Sequence, residues 1–238
     1  MKSITAFLSK VFVGLIGLAT VALPVPALAQ ATLVADYQFN ETLASSIEGA
    51  PSLSALGKWN PFITETVDGQ SITVFNFGAA GDPGTGLQLS TAGLIPTDDY
   101  SVVVLFNFDL VAGWRKILDS NNRLTEAGLY DLDSKLVYFG KKDTIVETTE
   151  PVIGADQWVQ VVFTRDATTN EVVVYVDGVE KIRSVDEEGS NKLVPNDVLH
   201  IFRDDHTTET EDYHENSGGA VARLRLYDGA LTAAEVAA

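Results

Sequence analysis

The chain has 238 residues, with 33 Asp and Glu against 16 Lys and Arg, a formal charge of −17, and no cysteine. That charge removes the basic footprint on which phosphate-backbone recognition depends, which excludes nucleic acid as a partner. The missing cysteines exclude disulfides, thiolate catalysis and Cys-ligated metal sites, while 45% hydrophobic content at this length supports one large core.

In chain order, Met1, Lys2 and Lys10 supply a short basic region, residues 11–23 are apolar, and Pro24, Pro26 and Ala27-Leu28-Ala29 follow. Charge, then a short apolar run, then a small-residue A-x-A site is the order of a secretory signal peptide. The run falls short of the roughly 20 residues a membrane span needs. Residues 1–29 are therefore expected to be cleaved after Ala29, leaving 30–238 as one domain. Loss of Lys2 and Lys10 leaves 209 residues with 14 basic and 33 acidic groups, a charge of −19. A secreted chain without cysteine fits a bacterial exporter. No second hydrophobic segment precedes Ala238, so the expected product is extracellular or periplasmic, without a transmembrane segment.

Beyond the leader the hydrophobic pattern has period two. In 101–109, Val102, Val104, Phe106 and Phe108 share one face, and in 157–165 Val159, Val161 and Phe163 do the same. The stretch 171–177 turns at Asp177-Gly178, a type I′ hairpin dipeptide, into 179–185. Further strands are expected at 33–39, 72–77, 128–132, 136–139, 198–203 and 220–227. In the last of these, Ala222, Leu224 and Leu226 read as inward and Arg223 and Arg225 as outward. About ten short strands separated by Gly, Asn, Asp and Pro make an all-β sandwich or barrel. One helical signal stands at the end. Thr232 and Glu235 form a capping box, and Leu231 with Val236 a hydrophobic staple, which predicts a single C-terminal turn.

The runs Trp158-Val-Gln-Val-Val-Phe163, Val173-Val-Tyr175-Val-Asp177-Gly178, Leu199-His-Ile-Phe202-Arg-Asp204-Asp205 and Gly218-Gly-Ala-Val-Ala-Arg-Leu-Arg225-Leu-Tyr227 carry a likeness to a known fold. With Leu33-Val-Ala-Asp-Tyr37-Gln-Phe39 and Gly128-Leu-Tyr130, they resemble the laminin-G-like jelly roll of the concanavalin A-like lectin and glucanase superfamily, in its secreted bacterial form. The resemblance implies an antiparallel two-sheet jelly-roll sandwich with one short C-terminal helical turn. It covers nearly the whole mature chain, and most of its motif positions are structural.

Because that superfamily includes glycoside hydrolases, paired carboxylates at i, i+2 and i+4 of one strand would be diagnostic. No strand carries them: Asp131 and Asp133 are followed by Lys135, and Glu209 and Glu211 by Tyr213. The histidines His200, His206 and His214 have no local Ser–His–Asp signature. The chain is therefore expected not to be an enzyme.

The chemically richest segment is 204–215, with Asp204, Asp205, Glu209, Glu211, Asp212 and Glu215. Oxygen-rich clusters of this kind suit Ca²⁺. The resemblance places the segment where pentraxins carry a calcium-binding loop. Their second ligand pair has no counterpart at Ala112-Gly113-Trp114-Arg115, with Asp109, Asp119 and Asn121 as approximate substitutes, so the expectation is one ion on Asp204, Asp205 and Glu215. His206 and His214 give a transition-metal variant of the same loop. For sugar stacking, the candidates are Trp59, Trp114 and Tyr213. The charge favours neutral glycans or proteins over anionic polysaccharides. The reading is a secreted, non-catalytic recognition module for a glycan or cell-surface protein, assisted by Ca²⁺. The alternative is a structural or adhesive exoprotein, and the third reading a glucanase.

Overall fold

The computed structural model describes residues 30–57, 61–82, 85–140, 144–194, 197–204 and 215–238. The leader, Trp59, Asp205, His206, Glu209, Glu211, Asp212, Tyr213 and His214 lie outside the described residues. The strands are β1 (Thr32–Tyr37), β2 (Ser54–Ala55), β3 (Phe62–Val67), β4 (Gln70–Gly78), β5 (Leu87–Ser90), β6 (Tyr100–Phe108), β7 (Trp114–Asp119) and β8 (Gly128–Leu132). They continue with β9 (Lys135–Phe139), β10 (Ile145–Glu147), β11 (Val159–Arg165), β12 (Glu171–Val176), β13 (Val179–Val185), β14 (Val198–Ile201) and β15 (Gly219–Asp228), before the helical turn α1 (Ala233–Val236).

Two antiparallel sheets form. One runs β13-β12-β11-β6-β15-β4-β3, with β1 also paired to β15; the other runs β10-β9-β8-β7-β14-β5-β2. Neighbours distant in sequence, such as β6 beside β15 and β7 beside β14, give the crossed connections of a jelly roll. Alternation sends Val102, Val104, Phe106 and Phe108 of β6 into the inter-sheet core with Val159, Val161 and Phe163 of β11. Phe202 anchors that core, its ring stacked on Phe77 at 3.9 Å and tilted against Phe106 at 5.2 Å.

Local chemistry fixes the connections. Asp177 and Gly178 both adopt positive φ, 48° and 78°, as a type I′ turn requires. The Asp177 carboxylate then accepts the Gln160 N–H at 2.9 Å. At the C-terminus the Thr232 hydroxyl accepts the Glu235 N–H and the Glu235 carboxylate accepts the Thr232 N–H, completing the capping box. Leu231 and Val236 pack in one apolar cluster with Val103 and Val162 on the outside of the larger sheet.

One facing differs from the sequence expectation. Ala222 points outward, against Val67, Val74 and Ala220, because β15 carries a bulge between Val221 and Arg223. The extra residue breaks the period-two count, leaving Val221, Leu224 and Leu226 in the core. Two adjacent residues therefore turn outward, and Arg223 reaches Asp36 at 2.7 Å.

Candidate functional site

The smaller sheet builds a polar site on its outer side. Leu129, Leu136 and Tyr138 of β8 and β9 enter the core, so Tyr130 and Phe139 turn away from it. Pairing sets Lys116 opposite Tyr130, Trp114 opposite Leu132, and Gly128 opposite Phe139. Two connections meet over this face. Residues 120–127 join β7 to β8, and residues 202–218 join β14 to β15. Gly128 lets the first connection close: its φ is +142°, and a Cβ there would run into the Leu118 carbonyl oxygen.

Lys116 is fully buried. Its ammonium donates to the Tyr130 hydroxyl at 2.7 Å and to the carbonyls of Ala127 at 3.2 Å and Glu126 at 3.3 Å. It also lies 3.5 Å from Asp119 Oδ2 and 3.9 Å from Asp204 Oδ1, and 4.1 Å from the centre of the Tyr130 ring. Asp119 Oδ1 accepts the N–H groups of Asn121 at 3.1 Å and Arg123 at 2.8 Å, which shapes the first connection. Asp204 is pinned at both backbone ends: its N–H donates to Asn216 Oδ1 at 2.9 Å, and its carbonyl accepts from Arg123 Nε.

Three carboxylates converge here. Oxygens of Glu126, Asp204 and Glu215 all lie within 4.8 Å of one another. The Tyr130 hydroxyl stands 2.9 Å from Glu126 and 3.0 Å from Asp204, and it has one proton to give. Burial, reinforced by the charges of Asp204 and Glu126, pushes the Glu215 carboxyl up to about 8. Burial first, then the same kind of negative surroundings, raises Tyr130 well above the ordinary phenol range. Burial also raises Asp119, against the pull of Lys116.

Beside the carboxylates opens a cavity of about 180 Å³ lined by Trp114, Glu126, Tyr130, Phe139 and Glu215. Its rings meet edge to face: Trp114 against Tyr130 at 5.5 Å and 83°, and Tyr130 against Phe139 at 6.4 Å and 65°. Glu126 and Phe139 also line a second cavity of about 640 Å³ that extends along Leu124, Thr125 and Glu188–Ser190.

Of the residues singled out from sequence, Trp114, Asp204 and Glu215 come together in this one place. Trp114 opens strand β7. Three further contributors carried no local signal. Glu126 is a single acid in a loop, and Tyr130 and Phe139 read only as strand residues. The i, i+2 search for paired acids could not find a trio delivered by separate connections. Of the approximate calcium ligands, Asp119 serves Lys116, while Asp109, raised by burial, bonds the Gly218 carbonyl through its N–H.

Comparison with known proteins sets this site in a family. Residues 80–237 match the model described as the concanavalin A-like lectin/glucanases superfamily. No curated protein matches the chain. Among solved structures, domain 4 of AbnA, a GH43 extracellular arabinanase from Geobacillus stearothermophilus solved with arabinotriose, is similar over 87% of this chain and 98% of its own, at TM-score 0.60 and 20% identity. The binding domain of botulinum neurotoxin DC, solved with rat synaptotagmin II, is similar at TM-score 0.63 and 11% identity. A botulinum neurotoxin type C structure, whose cell entry is described as depending on two ganglioside molecules, is similar at TM-score 0.61 and 11% identity. Each similarity covers 87% of this chain but only 50% of the toxin chain. Such identities establish a shared fold. With a family match over about two thirds of its length and a two-sheet jelly roll throughout, the chain belongs to the concanavalin A-like lectin/glucanases superfamily.

Proposed function

We propose that the protein is a secreted recognition module that binds a glycan, without cleaving it, in the aromatic cavity outside β7, β8 and β9. The observation that carries this reading is the cavity itself, in which Trp114, Tyr130 and Phe139 supply ring faces and edges while Glu126 and Glu215 supply acceptors. Aromatic walls with a few placed polar groups are the usual composition of a sugar site. The arabinotriose bound by the AbnA domain supports a glycan ligand. The order of residues in the leader supports export, and among the described residues no helix is long and apolar enough to cross a membrane.

A second component of the reading is Ca²⁺ on Glu126, Asp204 and Glu215. Calcium oxygens sit at about 2.3–2.6 Å, so two ligands of one ion are at most about 5 Å apart. The observed limit of 4.8 Å satisfies that condition. Bound there, the ion would neutralise the clustered charge; isothermal titration with CaCl₂ against the Glu215→Gln variant measures it.

The test of glycan binding is an array of neutral and amino-bearing glycans followed by calorimetry with Trp114→Ala. Binding that Trp114→Ala weakens about tenfold or more, without loss of fold, sustains the reading. Binding of no glycan, with robust self-association, would replace it by an adhesive exoprotein. Release of reducing ends from a bound polysaccharide would replace it by a hydrolase.

A further inference from the structure

Four acids surround the Tyr130 hydroxyl and the Lys116 ammonium, but they divide by direction. Asp119 and Asp204 are the two that Lys116 approaches, at 3.5 and 3.9 Å, on the side of the sheet. Glu126 and Glu215 are the two that line the 180 Å³ cavity. Glu126 and Glu215 face an opening whose remaining walls are three aromatic rings.

That combination selects a type of guest. A metal ion keeps or exchanges a tight oxygen shell and gains little from ring faces. An organic ammonium gains from both components, since rings attract its charge through their quadrupoles and carboxylates accept its N–H bonds. Tyr130 already performs this service internally, with the Lys116 ammonium 4.1 Å from its ring centre. A quaternary ammonium has no N–H to offer Glu126 and Glu215, so a primary ammonium matches the lining better. The adjoining 640 Å³ cavity, which shares Glu126 and Phe139, gives space for the rest of a chain-like ligand beside the cage. A charge of −17 over the whole chain draws cations toward it.

We infer that the ligand is a glycan carrying free amino groups, a polymer of de-N-acetylated hexosamine, with one sugar ammonium held between Trp114, Tyr130, Phe139, Glu126 and Glu215. This rests on the glycan reading above and narrows it to a cationic sugar, whose ammonium and Ca²⁺ are alternative occupants of Glu126 and Glu215.

The test compares two ligands that differ at the nitrogen: glucosamine trimer and N-acetylglucosamine trimer, titrated into the full-length secreted protein by calorimetry at pH 6.5. The expected result is binding of the amino trimer at least about tenfold tighter than the acetylated one. Glu126→Gln should erase most of that preference, and Glu215→Gln, which imitates the protonated carboxyl, should reduce it by less. The exposed Glu48→Gln, which removes the same charge at a residue lining neither cavity, should leave it intact. Equal or tighter binding of the acetylated trimer would overturn the ammonium inference while leaving glycan recognition standing. Choline chloride competing as well as glucosamine would overturn it in favour of a quaternary headgroup. A preference lost equally in Glu48→Gln would reduce it to diffuse charge attraction. If neither trimer nor any arrayed glycan binds, the underlying glycan reading falls as well. The wild-type comparison needs no variant to fold, and melting temperatures of the three variants separate loss of binding from loss of structure.

Discussion

Replacing Lys116 by Met keeps the length of the side chain and removes its charge. The ammonium is fully buried, is the only cation within 4 Å of Asp119 among the described residues, and contacts Asp119, Asp204, Tyr130 and two backbone carbonyls. Asp204 retains the Tyr130 hydroxyl as a donor at 3.0 Å, but Asp119 Oδ2 makes no other hydrogen bond. Breaking one side of a buried ion pair costs about 3–5 kcal/mol. With about 2–4 °C of melting temperature per kcal/mol for a domain of this size, Lys116→Met should melt roughly 6–20 °C below wild type. The loss should depend on pH. Burial raises the Asp119 carboxyl and Lys116 opposes that rise, so without Lys116 it climbs further. A carboxyl whose folded pKa exceeds its unfolded value is more favourable at low pH and loses stability as pH rises through the folded value. The deficit should therefore be larger at pH 8 than at pH 5, and Lys116→Met with Asp119→Asn should recover part of it at pH 8. Scanning calorimetry at both values measures this. A deficit under about 3 °C, or one of equal size at pH 5 and pH 8, would refute the assignment of Lys116 as the internal counter-ion.

Asp131 is fully buried and its carboxylate oxygens make no hydrogen bond, and burial, helped by Asp133, pushes its carboxyl up to about 8. Stability should therefore fall between pH 4 and 8 as the unfolded chain ionises first; Asp131→Asn, which imitates the protonated form, should flatten that slope in urea titrations. Gly128→Ala places a Cβ against the Leu118 carbonyl at φ +142°, so it should cost more than about 2 kcal/mol in chemical unfolding and weaken ligand binding by displacing the Glu126 connection. Thr232→Ala removes the capping box and should cost about 1 kcal/mol without changing ligand affinity, as read by melting and titration together.

Strands β6 and β11 were legible from their alternating hydrophobic period, and β12 from its apolar run into the Asp177-Gly178 hairpin. Strand β7 was not, although it carries Trp114 and Lys116. Its sequence, Trp114-Arg-Lys-Ile-Leu-Asp119, puts two charges in the middle, and a bulge between Lys116 and Leu118 sets Ile117 and Leu118 side by side in the core. A period of two cannot register such a segment, and a Lys at 0% exposure reads from sequence as a surface residue. The bulge in β15 hid the outward turn of Ala222 in the same way. The acidic segment was visible as composition, yet what makes Asp204 and Glu215 a site is Glu126, which approaches from 78 residues upstream of Asp204. Local sequence holds no record of that encounter.

The division of labour among the acids explains why a site of this charge can persist in the folded chain. Asp119, Glu126, Asp204 and Glu215 crowded together would repel one another strongly in a medium of lowered dielectric. Lys116 compensates the pair nearest the sheet, and the Tyr130 hydroxyl ties Glu126 and Asp204 to the same centre. Glu215 stands at the cavity wall, where burial first, and then the charges of Asp204 and Glu126, push its carboxyl up to about 8. A proton is the smallest cation that can relieve that repulsion, and a Ca²⁺ or a ligand ammonium would do so by displacing it.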